Sequence, residues 1–295
     1  MIELKGLSKH FDEVKAVDSL TVNIEDGITG LVGENGAGKS TLLRLISDVI
    51  YPDSGSIEID GFSFSSVEAK KILFFLDDDP YAPNGSTVKG IYDFYSCFYN
   101  IDPNKYNSLI KKFGLPTNQK VSTFSKGMKR QAFMALSLSV NVKYLLLDEA
   151  FDGLDPLVLS AIKSELISES NASKNVLISS HNISALERLV DRTIILYKGK
   201  LAGNQSTSHI GEEFIKYQAC FNIPVNEGTI EELGIKVISF KKVGSICQMV
   251  IVSSHEAERN IKEKLKPILF EKVPIDPDEA VMITMLAARK GEDHE

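Results

Sequence analysis

The chain has 295 residues, 43% of them apolar and 25% charged, which is enough to bury a core in one large domain or in one large and one small domain. Its net charge of -7 argues against broad nucleic-acid binding, which needs a basic face. No amino-terminal stretch has the charged-then-apolar layout of a signal peptide, and no window of about 20 residues is apolar and free of charge. We therefore expect a soluble protein, and any membrane part must come from another chain.

The cysteines, Cys97, Cys220 and Cys247, are far apart and match no metal-ligand spacing, as expected for reduced thiols of a cytosolic protein. His10, His181, His209, His255 and His294 show no paired metal spacing either.

In chain order, MIELKGLSKHF alternates apolar and polar residues and predicts an edge strand. LTVNIED predicts a second strand, and GITGLVG a short apolar strand running into glycines. After Gly38, KSTLLRLISDVI has helical spacing. YPDSGSIEIDG predicts a turn and then a short strand. Residues from Thr87 to Phe113 read as helical, with Tyr92, Phe94, Tyr95, Phe98 and Tyr99 among them and Pro103 as a break.

The run VKYLLLDEA has the unbroken apolar character of a strand in a parallel sheet covered on both faces, and NVLISSH and RTIILYKGKL repeat it. Strands alternating with helices predict an α/β layered domain. After about Gly203 the polar connector NQSTSHIGEE leads into segments of another character. These are a hairpin turning at Val243-Gly244-Ser245, a helix ending before Pro267, and a capped terminal helix in DPDEAVMITMLAARK. Residues 204–295 are thus expected to form a small α+β unit, following a main domain over 1–203.

Two stretches carry chemistry. GENGAGKST, from Gly33 to Thr41, fits G-x-x-x-x-G-K-[ST], with Gly33, Gly38, Lys39 and Ser40 at the fixed positions and Asn35, Gly36, Ala37 and Thr41 completing the loop. Its glycines let backbone N–H groups face phosphate oxygens, and the following helix adds the positive end of its dipole. Lys39 supplies a point charge for the β and γ phosphates, and Ser40 an oxygen for Mg²⁺. This predicts a nucleoside triphosphate, leaving kinases, GTPases and ATPases open.

YLLLDEA then places Asp148 and Glu149 at a strand end, where Asp148 can hold Mg²⁺ opposite Ser40 and Glu149 can polarise an attacking water. No guanine-specifying motif and no clear arginine-bearing lid is found, which argues against GTPases and small kinases.

FSKGMKRQ, from Phe124 to Gln131, has Ser125, Lys126, Gly127 and Met128 just ahead of a helix with no ligand of its own in view. With the two motifs around it, it resembles the L-S-G-G-Q signature of ATP-binding cassette (ABC) ATPases. The resemblance implies a P-loop NTPase core of ABC type: a mixed sheet with flanking helices and a helical subdomain at about 87–142. It implies that the signature residues act in trans, closing over nucleotide held by a second cassette, a copy or a relative of this chain.

It further implies that Asp155 of FDGLDP contacts that partner and that His181 of SSH reaches the γ-phosphate. By the same resemblance Phe11 stacks on adenine, although an apolar core residue at a strand end is its other reading. At the position of the family's metal-linked glutamine stands Asp78, in FFLDDDPYAPNGSTV; a carboxylate can still take a metal-bound water but cannot donate a hydrogen bond when ionised. A solvated acidic loop is the alternative there.

The finer similarity is to cassette subunits of bacterial drug, antibiotic and antimicrobial-peptide exporters. It implies ATP and Mg²⁺ as ligands, a membrane-spanning partner, a place on the cytoplasmic face of the cell membrane, and no nucleic acid. A ribosome- or DNA-associated cassette, or a regulatory one, is the competing class. It fits less well with a single cassette that lacks a heptad run between Lys39 and Asp148 and keeps Glu149 and His181.

Overall fold

Residues 1–186, 188–206 and 211–292 are described by the structure, a computed structural model. It divides into two units, Met1–Asn204 and Gln205–Glu295. Residues 207–210 of the polar connector, His209 among them, and His294 lie outside the described residues.

The first unit opens with a hairpin of β1 (Ile2–Phe11) and β2 (Val14–Ile24), in which Phe11 faces Val14. Asp12 takes a left-handed φ of 49° in the turn, where short polar side chains are better tolerated than bulky ones. Then come β3 (Ile28–Val32), α1 (Lys39–Ile46), β4 (Ser54–Ile59), β5 (Phe62–Ser63), α2 (Val67–Lys71) and β6 (Leu73–Leu76). The predicted helical stretch is two helices, α3 (Val88–Tyr95) and α4 (Pro103–Lys112). Pro103 opens the second behind an Asp102 N-cap, the position where its missing N–H costs nothing. The unit continues with α5 (Lys126–Ser139), β7 (Tyr144–Leu147), α6 (Pro156–Asn171), β8 (Asn175–Ser180), β9 (Arg192–Tyr197) and β10 (Lys200–Ser206).

Among the described residues these strands form an antiparallel sheet in the order β2-β1-β4-β5 and a six-stranded sheet in the order β10-β9-β3-β8-β7-β6. The expectation of an edge position for the opening strand is corrected here: β1 pairs with β2 on one side and β4 on the other. Alternation reports one buried face, and an antiparallel strand with one wet face can sit anywhere in its sheet.

The parallel strands β3, β7 and β8 are buried along their whole length, as their unbroken apolar runs require. Their register aligns Val32 with Ser180, Leu147 with Ile178, and Leu76 with Leu147, so the residues that follow all emerge at one carboxyl edge.

In the second unit β11 (Phe214–Cys220), α7 (Glu227–Glu231), β12 (Val237–Val243), β13 (Ile246–Val252), α8 (His255–Leu265), β14 (Leu269–Val273) and α9 (Pro277–Glu292) follow in order. The sheet is antiparallel, in the order β12-β13-β11-β14. One face packs Tyr217, Met249 and Ile251 with Ala257 and Ile261 of α8; the other packs Phe214 and Val250 with Ile283 of α9. Gly244, at a φ of 63°, makes the two-residue turn between β12 and β13, where Val243 pairs with Ile246.

Leu146, 1% exposed in β7, belongs to the same buried cluster as Leu31 and Ala37. Leu146→Ala should cost about 2–5 kcal/mol through lost burial and a residual cavity, read as a lower urea midpoint with an unchanged slope.

Candidate functional site

Val32 ends β3 and Lys39 begins α1, so Gly33 to Gly38 form the loop between a buried strand and a helix N-terminus. Two of its glycines are forced. Gly38 has a φ of 103°, and a Cβ on it would lie 2.2 Å from the carbonyl oxygen of Ala16. A Cβ on Gly33 would lie 2.5 Å from the carbonyl oxygen of Leu196. Asn35 and Gly36 are exposed and Ala37 is buried, with the Ala37 N–H bonded to the Glu34 carbonyl. Lys39 is 5% exposed; its ammonium donates to the Gly33 carbonyl at 2.7 Å and to the Glu34 carbonyl at 3.2 Å. Ser40 and Thr41 follow it in the first turn of α1, both half-buried.

Asp148 leaves the end of β7 fully buried. One carboxylate oxygen accepts from the Ser179 hydroxyl at 2.6 Å, and the other, Oδ2, has no hydrogen-bond partner among the described residues. Burial raises this carboxyl above its usual value, against the pull of the Ser179 and Ser40 hydroxyls. An orphaned buried carboxylate oxygen needs a partner. Together with the Ser40 hydroxyl it makes an all-oxygen donor set of the kind a hard divalent cation takes, so these residues fit Mg²⁺.

Glu149 is next, at a φ of 43°, a left-handed backbone that costs about 1–3 kcal/mol in a non-glycine residue unless its surroundings impose it. The imposing contact is visible: the Glu149 N–H donates to the Ser179 hydroxyl at 2.8 Å. One hydroxyl on β8 therefore pins both consecutive acids. The Glu149 carboxylate then lies between Lys39, at 3.4 Å, and Nδ1 of His181, at 3.0 Å. His181 is half-exposed just past β8, and Asp152 brings an oxygen within 4.8 Å of the Glu149 and His181 ligand atoms.

The structure thus gathers Gly33, Lys39, Ser40, Asp148, Glu149 and His181. Phe11, at the end of β1, is 47% exposed, so it is not a core residue; its ring lies under the Lys9 ammonium at 5.6 Å.

The remaining candidates are held by other partners. Ser125 N-caps α5, its hydroxyl accepting from the Met128 N–H at 3.2 Å. Ser125 and Lys126 are exposed, and Gly127 and Met128 half-buried. A Cβ on Gly127 would lie 2.7 Å from the Gly153 carbonyl, so glycine lets the turn after β7 approach α5. Asp155 N-caps α6 through bonds from Leu157 and Val158 N–H at 3.1 and 3.0 Å. Asp78 forms an ion pair with Arg130 of α5.

Sequence reading missed Ser179, Asp152, Arg44 and Arg130. The paired serines of ISSH carried the only signal for Ser179; which oxygen they face is set by strand register.

A glycine loop and lysine at a helix start, faced by a buried metal-competent aspartate and a glutamate-histidine pair, define a nucleotide-binding ATPase of the P-loop type. The family model described as ABC transporter matches residues 17–152. The ABC transporter ATP-binding protein YtrB of Bacillus subtilis (strain 168) is 30% identical over 284 residues, 95% of this chain and 96% of that protein. The lantibiotic transport ATP-binding protein SrtF of Streptococcus pyogenes is 30% identical over 204 residues, 68% and 89% of the two chains. A dimeric structure of the ATP-binding cassette MJ0796 in a post-hydrolysis state, bound to ADP and Pi, shares the fold, with a TM-score of 0.62 and 20% identity over 70% of this chain and 98% of that one. The chain belongs to the ABC transporter ATP-binding proteins, and it is an ATPase subunit.

Gly38→Ala should weaken nucleotide binding by about tenfold or more, because the added methyl meets a backbone oxygen and the φ is unfavourable for any side chain. Titration with a fluorescent ATP analogue reads this directly, and an affinity within about twofold of the parent would contradict the geometry.

Proposed function

We propose that this chain binds and hydrolyses MgATP as one of two cassettes that drive a separate membrane-spanning exporter subunit. The observation that carries this reading is the Ser179 hydroxyl, which holds Asp148 and Glu149 in fixed relation beside Lys39 and His181.

Lys39 and the loop amides of Gly33 to Thr41 hold the phosphates, while Phe11 offers an exposed ring for the adenine. Ser40 and Asp148 would hold Mg²⁺, which supplies charge neutralisation at the β and γ phosphates. Glu149 orients or deprotonates the attacking water, and His181 fixes the γ-phosphate while holding the Glu149 carboxylate in place. Loss of the γ-phosphate removes what joins two cassettes.

The signature residues Ser125, Lys126, Gly127 and Met128 lie at an exposed helix start, whose amides and dipole suit an anion presented by another chain. Asp155 lies in the same part of the chain as Gly153, the residue against which Gly127 packs, and would meet the partner cassette there.

The membrane partner is supported by a ladder of rings, Tyr81 against Phe94 and Phe94 against Phe98, each at 5.5 Å, which ends in side chains 64% and 70% exposed. Tyr106 in the same stretch is core, so only part of the aromatic segment offers a docking surface. Likeness to a lantibiotic transport protein supports a drug, antibiotic or antimicrobial peptide as cargo and a place on the cytoplasmic face of a bacterial membrane.

Glu149→Gln should keep ATP affinity but drop turnover by about a hundredfold or more, and trap an ATP-bound dimer on size exclusion. Normal turnover in that variant would remove Glu149 from the role of base. Phe98→Glu should abolish co-purification with the membrane subunit while the chain's ATP affinity stays within about twofold, since an unpaired charge in an apolar contact costs several kcal/mol.

A further inference from the structure

Two consecutive carboxylates at the end of β6 are each taken by an arginine from a different helix. Asp77 receives two parallel bonds of 3.0 Å from Nε and Nη2 of Arg44 on α1. Asp78 pairs with Nη2 of Arg130 on α5. Both acids follow Leu76 directly, and the Leu76 carbonyl accepts the N–H of Asp148, so the pair is anchored to the same sheet edge as the metal-competent acid. Arg130 is 3% exposed, and its Nη1 has no hydrogen-bond partner among the described residues, so its charge is matched through Nη2 and Asp78.

The two helices held in this way are not arbitrary. The phosphate loop opens α1, and Ser125 caps α5. In a two-fold dimer each chain gives its phosphate loop to one nucleotide and its Ser125 edge to the other. The distance between those two elements within a single chain must therefore match the spacing of the two sites.

We propose that Asp77 and Asp78 form a two-armed ionic clasp that fixes this spacing, and that Arg130 is a positioning residue for ATP-driven closure, acting through α5. Asp78 then works through Arg130, which takes one of its carboxylate oxygens, and not at the metal. The inference rests on the reading that Ser125 acts in trans.

The test uses the full chain carrying Glu149→Gln, with ATP-driven dimerisation followed by analytical ultracentrifugation and ATP affinity of the monomer by fluorescence. Arg130→Met should raise the dimer dissociation constant by about tenfold while monomer ATP affinity stays within about twofold, since the phosphate loop lies on the other arm. Arg130→Lys, which keeps a charge for Asp78, should recover most of the loss. The double variant Asp78→Asn with Arg130→Met should be no weaker than Arg130→Met alone, because both substitutions break one interaction. A parent-like dimer in Arg130→Met overturns the clasp. So does a double variant about tenfold weaker than Arg130→Met, which would return Asp78 to a role of its own at the metal. Failure of the Glu149→Gln chain itself to dimerise with ATP would overturn the trans reading, and the clasp with it.

Discussion

The parallel register of β3, β8 and β7 is the constraint on which the rest of this molecule depends. Val32 beside Ser180 and Leu147 beside Ile178 bring three chain segments, far apart in sequence, to one edge of a sheet. A shift of one residue would turn the Ser179 hydroxyl to the other face and leave Asp148 and the Glu149 amide without it. The strands are apolar throughout because helices and the second sheet exclude water from both faces, and that dry setting makes the polar groups at the edge consequential.

Two buried charges lie at this edge, and the protein leaves one of them, Asp148, with an unpartnered oxygen among the described residues. Lys39 spends its ammonium on loop carbonyls and leans toward Glu149. Asp148 keeps one oxygen without a bond among the described residues, and burial lifts its carboxyl toward the protonated form. Folding alone would favour replacing such a group, whereas a divalent cation would supply the partner that the Asp148 oxygen lacks. Glu149 adds a strained backbone for the same end: the left-handed turn directs its carboxylate back toward the lysine and His181.

The two units divide the labour differently. The first places its charged groups at strand ends and helix starts, where ligands can reach them. The second closes a small antiparallel sheet between α8 and α9, with an apolar cluster on each face, and among its described residues no His/Cys/Asp/Glu cluster fit to hold a metal ion occurs. YtrB matches over nearly its whole length, this unit included, whereas SrtF covers only 68% of the chain.

Much of this was legible in the residues themselves. Fixed glycine spacing, a lysine at a helix start and an acidic pair ending an apolar run each depend on local geometry, and local geometry is what a short segment specifies. Turn residues likewise announced a break at Pro103 and Gly244 in a hairpin, while the placing of Pro103 at the start of a second helix came from the structure. Alternation in the opening strand told which face is buried but not which neighbours it takes, so its interior place in the sheet was not readable. Phe11 could be core or surface by its type alone, and only packing left it exposed. The sequence by itself determined that a triphosphate is cradled; the tertiary structure alone decided that Ser179 joins the two acids and that Asp77 and Asp78 reach Arg44 and Arg130. Those pairings join residues remote along the chain, and no local propensity encodes a distance that arises only when strands align.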